Sequence, residues 1–221
     1  MKVYCFCKYP EPGKVKTRLA QTIGDNEAAI LYEKMLCSML RLADSSSFHF
    51  TFYHSGSSQE NFEQLLPHQR FLEQPDGSLG QKLEYLMKWH FEQDDEPLCF
   101  IGSDCIEMET TTLEYAANDL RDRDIVFGPA TDGGYYLIAM NKLQKNLFAD
   151  IPWSTEKVLE SSINQCYDDD LTYSLLDIKA DIDTFEDLPD TWKSSYQQLI
   201  KGNADYAEFK NTGKIPSNIP Q

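Results

Sequence analysis

The stretch Leu98-Cys99-Phe100-Ile101-Gly102-Ser103-Asp104-Cys105 opens on four apolar residues and closes on a glycine, a hydroxyl and a carboxylate. An apolar run this short and uniform reads as a strand covered on both faces, the pattern of a parallel sheet. Asp104 then falls at the strand's carboxyl end, where open α/β sheets bind their ligands. Its hard oxygens suit Mg²⁺ or Mn²⁺ bridging phosphate oxygens; the alternative is an N-cap for the next helix.

Upstream, residues 3–7 form a first strand candidate. Asp25 is placed to cap a helix whose apolar positions Ala28, Leu31, Met35, Met39 and Leu42 recur at three and four. Residues 48–53 read as a strand, 58–66 as a short helix and 70–74 as a third strand. Leu79, Leu83, Leu86 and His90 mark one face of a further helix. Downstream come a helix at 110–120, strands at 125–127 and 135–140, a helix at 154–166 and a late strand at 171–176. Thr184 is placed to cap a short helix. This alternation predicts an α/β fold of one domain, a mainly parallel sheet with helices on both faces and right-handed crossovers. The predicted domain covers residues 1–205, and the polar, proline-marked end predicts a tail at 206–221.

Composition fits that picture. The 221 residues carry a formal charge of −16, with 41% hydrophobic and 12% aromatic residues, which argues against disorder. The sequence pI of about 4.5 argues against non-specific nucleic-acid binding and against docking on anionic membranes. No apolar run approaches the roughly 20 residues of a spanning helix, and the first residues are too short for a signal peptide. The expectation is a cytoplasmic chain with no membrane insertion. Six cysteines lie scattered without a C-x-x-C pair, which points to core packing; a metal clip at Cys5 and Cys7 lacks further ligands nearby. The four histidines form no cluster.

Charge is uneven along the chain. Residues 1–24 carry five cations against Glu11 alone. Three of them crowd into Pro10-Glu11-Pro12-Gly13-Lys14-Val15-Lys16-Thr17-Arg18-Leu19, just after the first strand. Prolines and glycine set a rigid turn, and such a loop can hold a diphosphate or triphosphate through backbone N–H groups and point charges. Neither a P-loop nor a G-x-G-x-x-G pattern is present. A solvated basic face is the plainer alternative.

Three more motifs lie at predicted strand ends. In Gly128-Pro129-Ala130-Thr131-Asp132-Gly133-Gly134-Tyr135-Tyr136, the glycines allow close approach of a ligand and either tyrosine can stack on a ring; a hairpin is the plainer reading. In Asp181-Ile182-Asp183-Thr184, alternate carboxylates share a face, and one can complete a metal site with Asp104; helix capping is the alternative. In Gln74-Pro75-Asp76-Gly77-Ser78-Leu79-Gly80-Gln81-Lys82, a glycine-bearing loop precedes a helix N-terminus, which favours anions. Pro152-Trp153-Ser154-Thr155 offers a helix cap and an indole wall. Either of these last two can be structural.

Taken in order, these strings resemble the nucleotide-diphospho-sugar transferase superfamily with its glycosyltransferase-A type fold, and more narrowly the radical-SAM/selenodomain-associated transferases, bacterial proteins described as glycosyltransferases without an assigned substrate. The resemblance spans residues 1 to about 188 and does not extend to the rest of the chain. The resemblance implies that Gly13, Lys16 and Arg18, with Pro12, Lys14, Gly80, Lys82 and Ser103, serve nucleotide binding. It implies a divalent metal on Asp104 and Asp183, and an acceptor or sugar pocket shaped by Asp132, Gly133, Gly134, Tyr135, Tyr136 and Trp153. Two departures stand out: Ile106 replaces a usual proline, and Gly-Ser-Asp replaces Asp-x-Asp. A single aspartate beside a basic loop also resembles nucleotidyltransferases.

The expected function is therefore metal-dependent transfer from a nucleotide-activated donor, with glycosyl transfer from a nucleotide sugar first. Lys16 and Arg18 would assist the leaving group, and Asp132 would be the base. Nucleotidyl transfer from a nucleoside triphosphate to a phosphorylated small molecule, releasing pyrophosphate, is the alternative. A non-catalytic nucleotide-binding module is the third.

Overall fold

The computed structural model describes residues 1–65 and 69–193. The predicted tail at 206–221 lies outside the described residues. Strands β1 (Lys2–Lys8), β2 (His49–Ser55), β3 (Phe71–Glu73), β4 (Leu98–Gly102), β5 (Ile125–Pro129), β6 (Tyr135–Met140) and β7 (Tyr173–Leu175) form one sheet in the order β3-β2-β1-β4-β6-β5-β7. β6 alone runs against its neighbours; every other pairing among these strands is parallel.

Alternation along β1 separates two cores. Val3, Cys5 and Cys7 enter one with the helices α1 (Thr17–Ile23), α2 (Asp25–Ser45), α3 (Gln59–Leu65) and α5 (Thr110–Asp119). Tyr4 enters the other, with α4 (Leu79–Phe91), and with α6 (Val158–Asp168) through Cys166. Helices thus cover both faces, as the period-2 strands and period-3.6 helices require. Ala28, Leu31, Met35, Met39 and Leu42 are all buried on α2. All six cysteines are buried and free. Among the described residues no helix is long and apolar enough to cross a membrane.

The local differences from the sequence reading have physical causes. Helix α1 begins at Thr17, inside the segment read as loop, because Leu19 and Ile23 bury four residues apart. Gly24, at φ 95, separates α1 from α2. Asp25 is therefore a first-turn residue rather than the cap, still placed to favour the helix dipole. Helix α6 starts at Val158, not 154, since Ser154 sits in the left-handed region at φ 64. Thr184 caps no helix: its hydroxyl donates to Asp187 Oδ2 at 2.8 Å, and that carboxylate also takes the backbone N–H groups of Asp183 and Thr184. Leu79 is largely exposed, whereas Leu83, Leu86 and His90 are buried as read.

Candidate functional site

The chain runs outward from β1 to β2 and β3, then returns to place β4 on the other side of β1. That reversal makes a switch point, where diverging loops open a crevice at the strands' carboxyl ends. A cleft of about 490 Å³ lies there, lined by Phe6, Lys16, Arg18, Gln74, Lys82, Ser103, Asp104 and Asp183 among others.

At its charged end, Lys16 Nζ stands 2.9 Å from Asp104 Oδ1 and 3.1 Å from Asp183 Oδ1. The lysine side chain is only 5% exposed, while the two carboxylates are 40% and 43% exposed. Burial works against the ammonium, but Asp104 and Asp183 outweigh it and leave the Lys16 pKa raised. Its backbone is left-handed, at φ 46 and ψ 45, where it caps α1. Arg18, on the first turn of that helix, reaches Asp183 Oδ2 at 3.4 Å with its side chain 74% exposed. Asp104 follows β4 as read, and it is not a helix cap: the N-cap of α5 is Glu109.

Asp183 arrives by a backbone bond. The Ile182 N–H donates to the Asp104 carbonyl at 3.1 Å, and Ile182 buries in the core. Asp183, next along the chain, turns its carboxylate to Lys16 Nζ. Burial, with Asp104 and Asp132 adding to it against the Lys16 charge, pushes the Asp181 carboxyl up to about 7. Four carboxylates, Asp104, Asp132, Asp181 and Asp183, therefore share one electrostatic neighbourhood. Among the described residues no group of three His, Cys, Asp or Glu side chains gathers closely enough to hold a metal ion.

Ser103 and the cleft's floor are fixed by Tyr32 on α2. The Tyr32 hydroxyl accepts the Lys8 N–H at 2.9 Å and lies 2.8 Å from Ser103 Oγ. At the far end, Gln74 Nε2 donates to the carbonyls of Cys7 and Tyr53, each at 3.0 Å. Its oxygen then accepts Lys82 Nζ at 3.0 Å, holding a third cation on the cleft.

Asp132, Gly133 and Gly134 form the tight connection from β5 to β6, so the hairpin reading holds. Gly134 N–H donates to Asp132 Oδ1 at 2.9 Å, which fixes that carboxylate at the sheet's carboxyl edge. The aromatic residues read for the acceptor pocket lie elsewhere. Tyr135 packs on Phe127 and Trp153; Tyr136 is buried and donates to the Asp177 carbonyl at 3.0 Å. Trp153 packs on Phe148 and over Gly80, which is a buried residue of α4 rather than a phosphate-loop glycine. None of these rings lines the cleft. Pro12, Gly13 and Lys14 belong to the turn before Lys16 and do not line it either; Gly13 takes the φ of 75 that the turn demands.

The sequence reading assigned no role to Tyr32 or to Gln74 itself, and it took Asp181 only as one of two alternate carboxylates before settling on Asp183. Asp181 carried a signal, the two-residue spacing to Asp183. Tyr32 carried none, since it reads as one more core position of α2.

Comparison with known proteins places the fold. A crystal structure of a proposed nucleotide-diphospho-sugar transferase from Desulfovibrio desulfuricans G20 matches 95% of this chain and 99% of its own, at 27% identity and a TM-score of 0.80. The inositol-1-phosphate CTP transferase from T. maritima matches 91% of this chain and 97% of its own, at 12% identity and TM-score 0.55. The manganese complex of Rv0371C from Mycobacterium tuberculosis H37Rv matches 91% and 98%, at 12% identity and TM-score 0.52. The last two likenesses establish shared architecture alone. No curated protein sequence matches the chain. A family profile described as "Uncharacterized protein conserved in bacteria" matches residues 39–155, from the middle of α2 to the loop before α6. The protein belongs to that family, DUF2064.

Proposed function

We propose that the protein is a transferase that uses a nucleotide-activated donor, and that the reaction is glycosyl transfer from a nucleotide sugar. One observation carries this reading: two cations and two carboxylates, Lys16, Arg18, Asp104 and Asp183, meet at the end of a cleft at the sheet's switch point. A metal-bound diphosphate needs both kinds of group within one ligand's reach. The likeness to the Desulfovibrio protein supports the choice of a nucleotide sugar. The narrower resemblance to the radical-SAM/selenodomain-associated transferases belongs to the same proposal, as does a catalytic unit spanning 1–205.

The residues fit a divalent cation. Both Oδ1 atoms touch Lys16 Nζ, at 2.9 and 3.1 Å, so the two carboxylates face the same point of the cleft. They are hard oxygen donors, half open to the cleft, and two carboxylates leave positions for phosphate oxygens and water. Asp104 and Asp183 would hold Mg²⁺ or Mn²⁺, which when bound supplies charge neutralisation for a leaving diphosphate. Lys16 and Arg18 bind the same phosphates by charge-assisted hydrogen bonds. Tyr32 and Ser103 keep the Asp104 loop in register. Asp132 is the proposed base for the proton of an acceptor hydroxyl; the Gly134 N–H orients its carboxylate, which lies beside the cleft rather than in its lining.

Lys82 favours a second reading. A third cation on the same cleft suits a triphosphate, and hence nucleotidyl transfer with release of pyrophosphate. Thermal-shift titration with nucleotide sugars and nucleoside triphosphates, with and without Mg²⁺, followed by product analysis, separates these. A ligand at 100 times its Kd adds about 2.7 kcal/mol. Release of a nucleoside diphosphate supports glycosyl transfer; release of pyrophosphate replaces it with the second reading. Binding without turnover of any donor leaves a non-catalytic nucleotide-binding module.

A further inference from the structure

We infer that Lys16 is an internal counter-ion that keeps the Asp104–Asp183 pair closed to a divalent cation until a phosphate-bearing ligand draws its ammonium away. The inference rests on the proposed use of a nucleotide-activated donor, and it concerns the order and coupling of binding rather than the chemistry.

The geometry is that of an occupied clamp. The Lys16 ammonium sits against one oxygen of each carboxylate, at 2.9 and 3.1 Å, with its side chain almost sealed from water. A Mg²⁺ ion bonded to either oxygen at about 2.1 Å would lie within about 5 Å of Nζ. Two positive charges at that distance, beside a buried lysine stem, repel strongly. The cation and the ammonium therefore compete for the same oxygens.

Lysine is suited to this exchange. Its ammonium is a compact charge on a flexible stem, and it can re-aim without moving the backbone. The Lys16 backbone is fixed where it caps α1. The carboxylates remain where their own anchors hold them: Asp104 through the strand β4 and the Ile182 N–H, and Asp183 through its backbone N–H on Asp187. What can move is the ammonium, and an anion in the cleft would offset the loss of its two carboxylates. The cleft that Lys16 lines is where phosphates would supply one. Arg18 shares Asp183 but is mostly exposed and does not touch Asp104, so it cannot lock the pair.

Metal and phosphate ligand then bind as a set. Each favours the state in which Lys16 has turned from the carboxylates, so each raises the other's affinity by the same factor. The lock also tells against storage of a loosely bound metal by the resting protein.

The test is Mn²⁺ binding, read by the loss of the free-ion paramagnetic resonance signal, with no nucleotide present. The protein, Lys16→Met and Lys16→Gln are compared, with circular dichroism to show that each is folded; either folded variant serves. The expected result is that the variants bind Mn²⁺ alone more tightly than the unaltered protein by about tenfold or more, within the usual range of site coupling. Adding Asp104→Ala to Lys16→Met should remove that gain. Equal or weaker Mn²⁺ binding by the folded lysine variants overturns the lock, as does a gain that survives loss of Asp104. Because no nucleotide enters this arm, its failure is separate from failure of the transferase reading, which would show as no nucleotide binding to the unaltered protein.

Discussion

Gly128 lies beneath the ring of Tyr136: a Cβ at Gly128 would stand 2.5 Å from the tyrosine Cζ and 2.9 Å from its hydroxyl oxygen. The glycine makes room for a tyrosine whose hydroxyl is fixed on the Asp177 carbonyl. Gly128→Ala should destabilise the protein by about 1–3 kcal/mol, the usual cost of overpacking. The urea midpoint reads this directly. Gly128→Ala combined with Tyr136→Ala should cost less than the two single changes added together. Strict additivity would show that the ring is not what the glycine accommodates.

Tyr32→Phe removes one hydroxyl and two contacts. The hydroxyl accepts the Lys8 N–H and pairs with Ser103 Oγ, which neighbours Asp104. Stability should fall by about 1 kcal/mol, the ordinary net worth of such a bond. Nucleotide affinity should fall as well, because the Asp104 loop loses its brace. Unfolding and binding isotherms on the same preparation check both; full affinity alongside reduced stability would confine Tyr32 to the core.

His54 makes stability depend on acid. His54 is 1% exposed, and its ring packs at a tilt on Phe62 with centroids 4.5 Å apart. Burial holds its pKa below the ordinary value, against the pull of Glu73. The unfolded chain therefore binds the proton more readily. The His54 contribution is flat above about pH 6.5 and is lost as pH falls below that value toward the lower folded pKa. His54→Phe should remove this part of the slope. Melting temperatures from pH 8 to pH 5 provide the comparison, and identical slopes in both proteins would discard the idea.

The thiols should be inert in the native state. All six cysteines are buried, and burial raises those of Cys37, Cys105 and Cys166 to about 12 and pushes Cys7 and Cys99 higher still. Thiolate, not thiol, reacts. At pH 8 a disulfide reagent should label none of them rapidly, and all six once urea unfolds the chain. A single fast-reacting thiol under native conditions would contradict the packing.

Some of this was legible in the sequence because the relevant forces are local. The uniform apolar run at 98–101 declared a doubly covered strand, and its end located Asp104. The three-and-four spacing of Ala28, Leu31 and Met35 marked the buried face of α2. Lys16, Arg18, Asp104 and Asp183 were named from motifs, and the structure brings them together. What periodicity does not carry is long-range pairing. The inward turn of Tyr135 and Tyr136 depends on neighbours such as Trp153 and Asp177, and a glycine-tyrosine motif reads alike whether its rings face a ligand or a core. Gly80 looked like part of an anion loop because of its place before a helix; the indole of Trp153, distant in sequence, is the reason for it. Tyr32 was hidden for the opposite reason, since a polar brace at a core position leaves no mark on the pattern.

The single bond from the Ile182 N–H to the Asp104 carbonyl has a consequence in time. Lys16 and Asp104 are made early and in mid-synthesis, but the second carboxylate reaches them only when the segment after β7 has left the ribosome and docked. Until then Lys16 has Asp104 alone and Arg18 lacks its carboxylate. A chain cut short before residue 181 would carry all seven strands, with Lys16, Arg18 and Asp104, but would lack the Asp183 carboxylate that both cations meet.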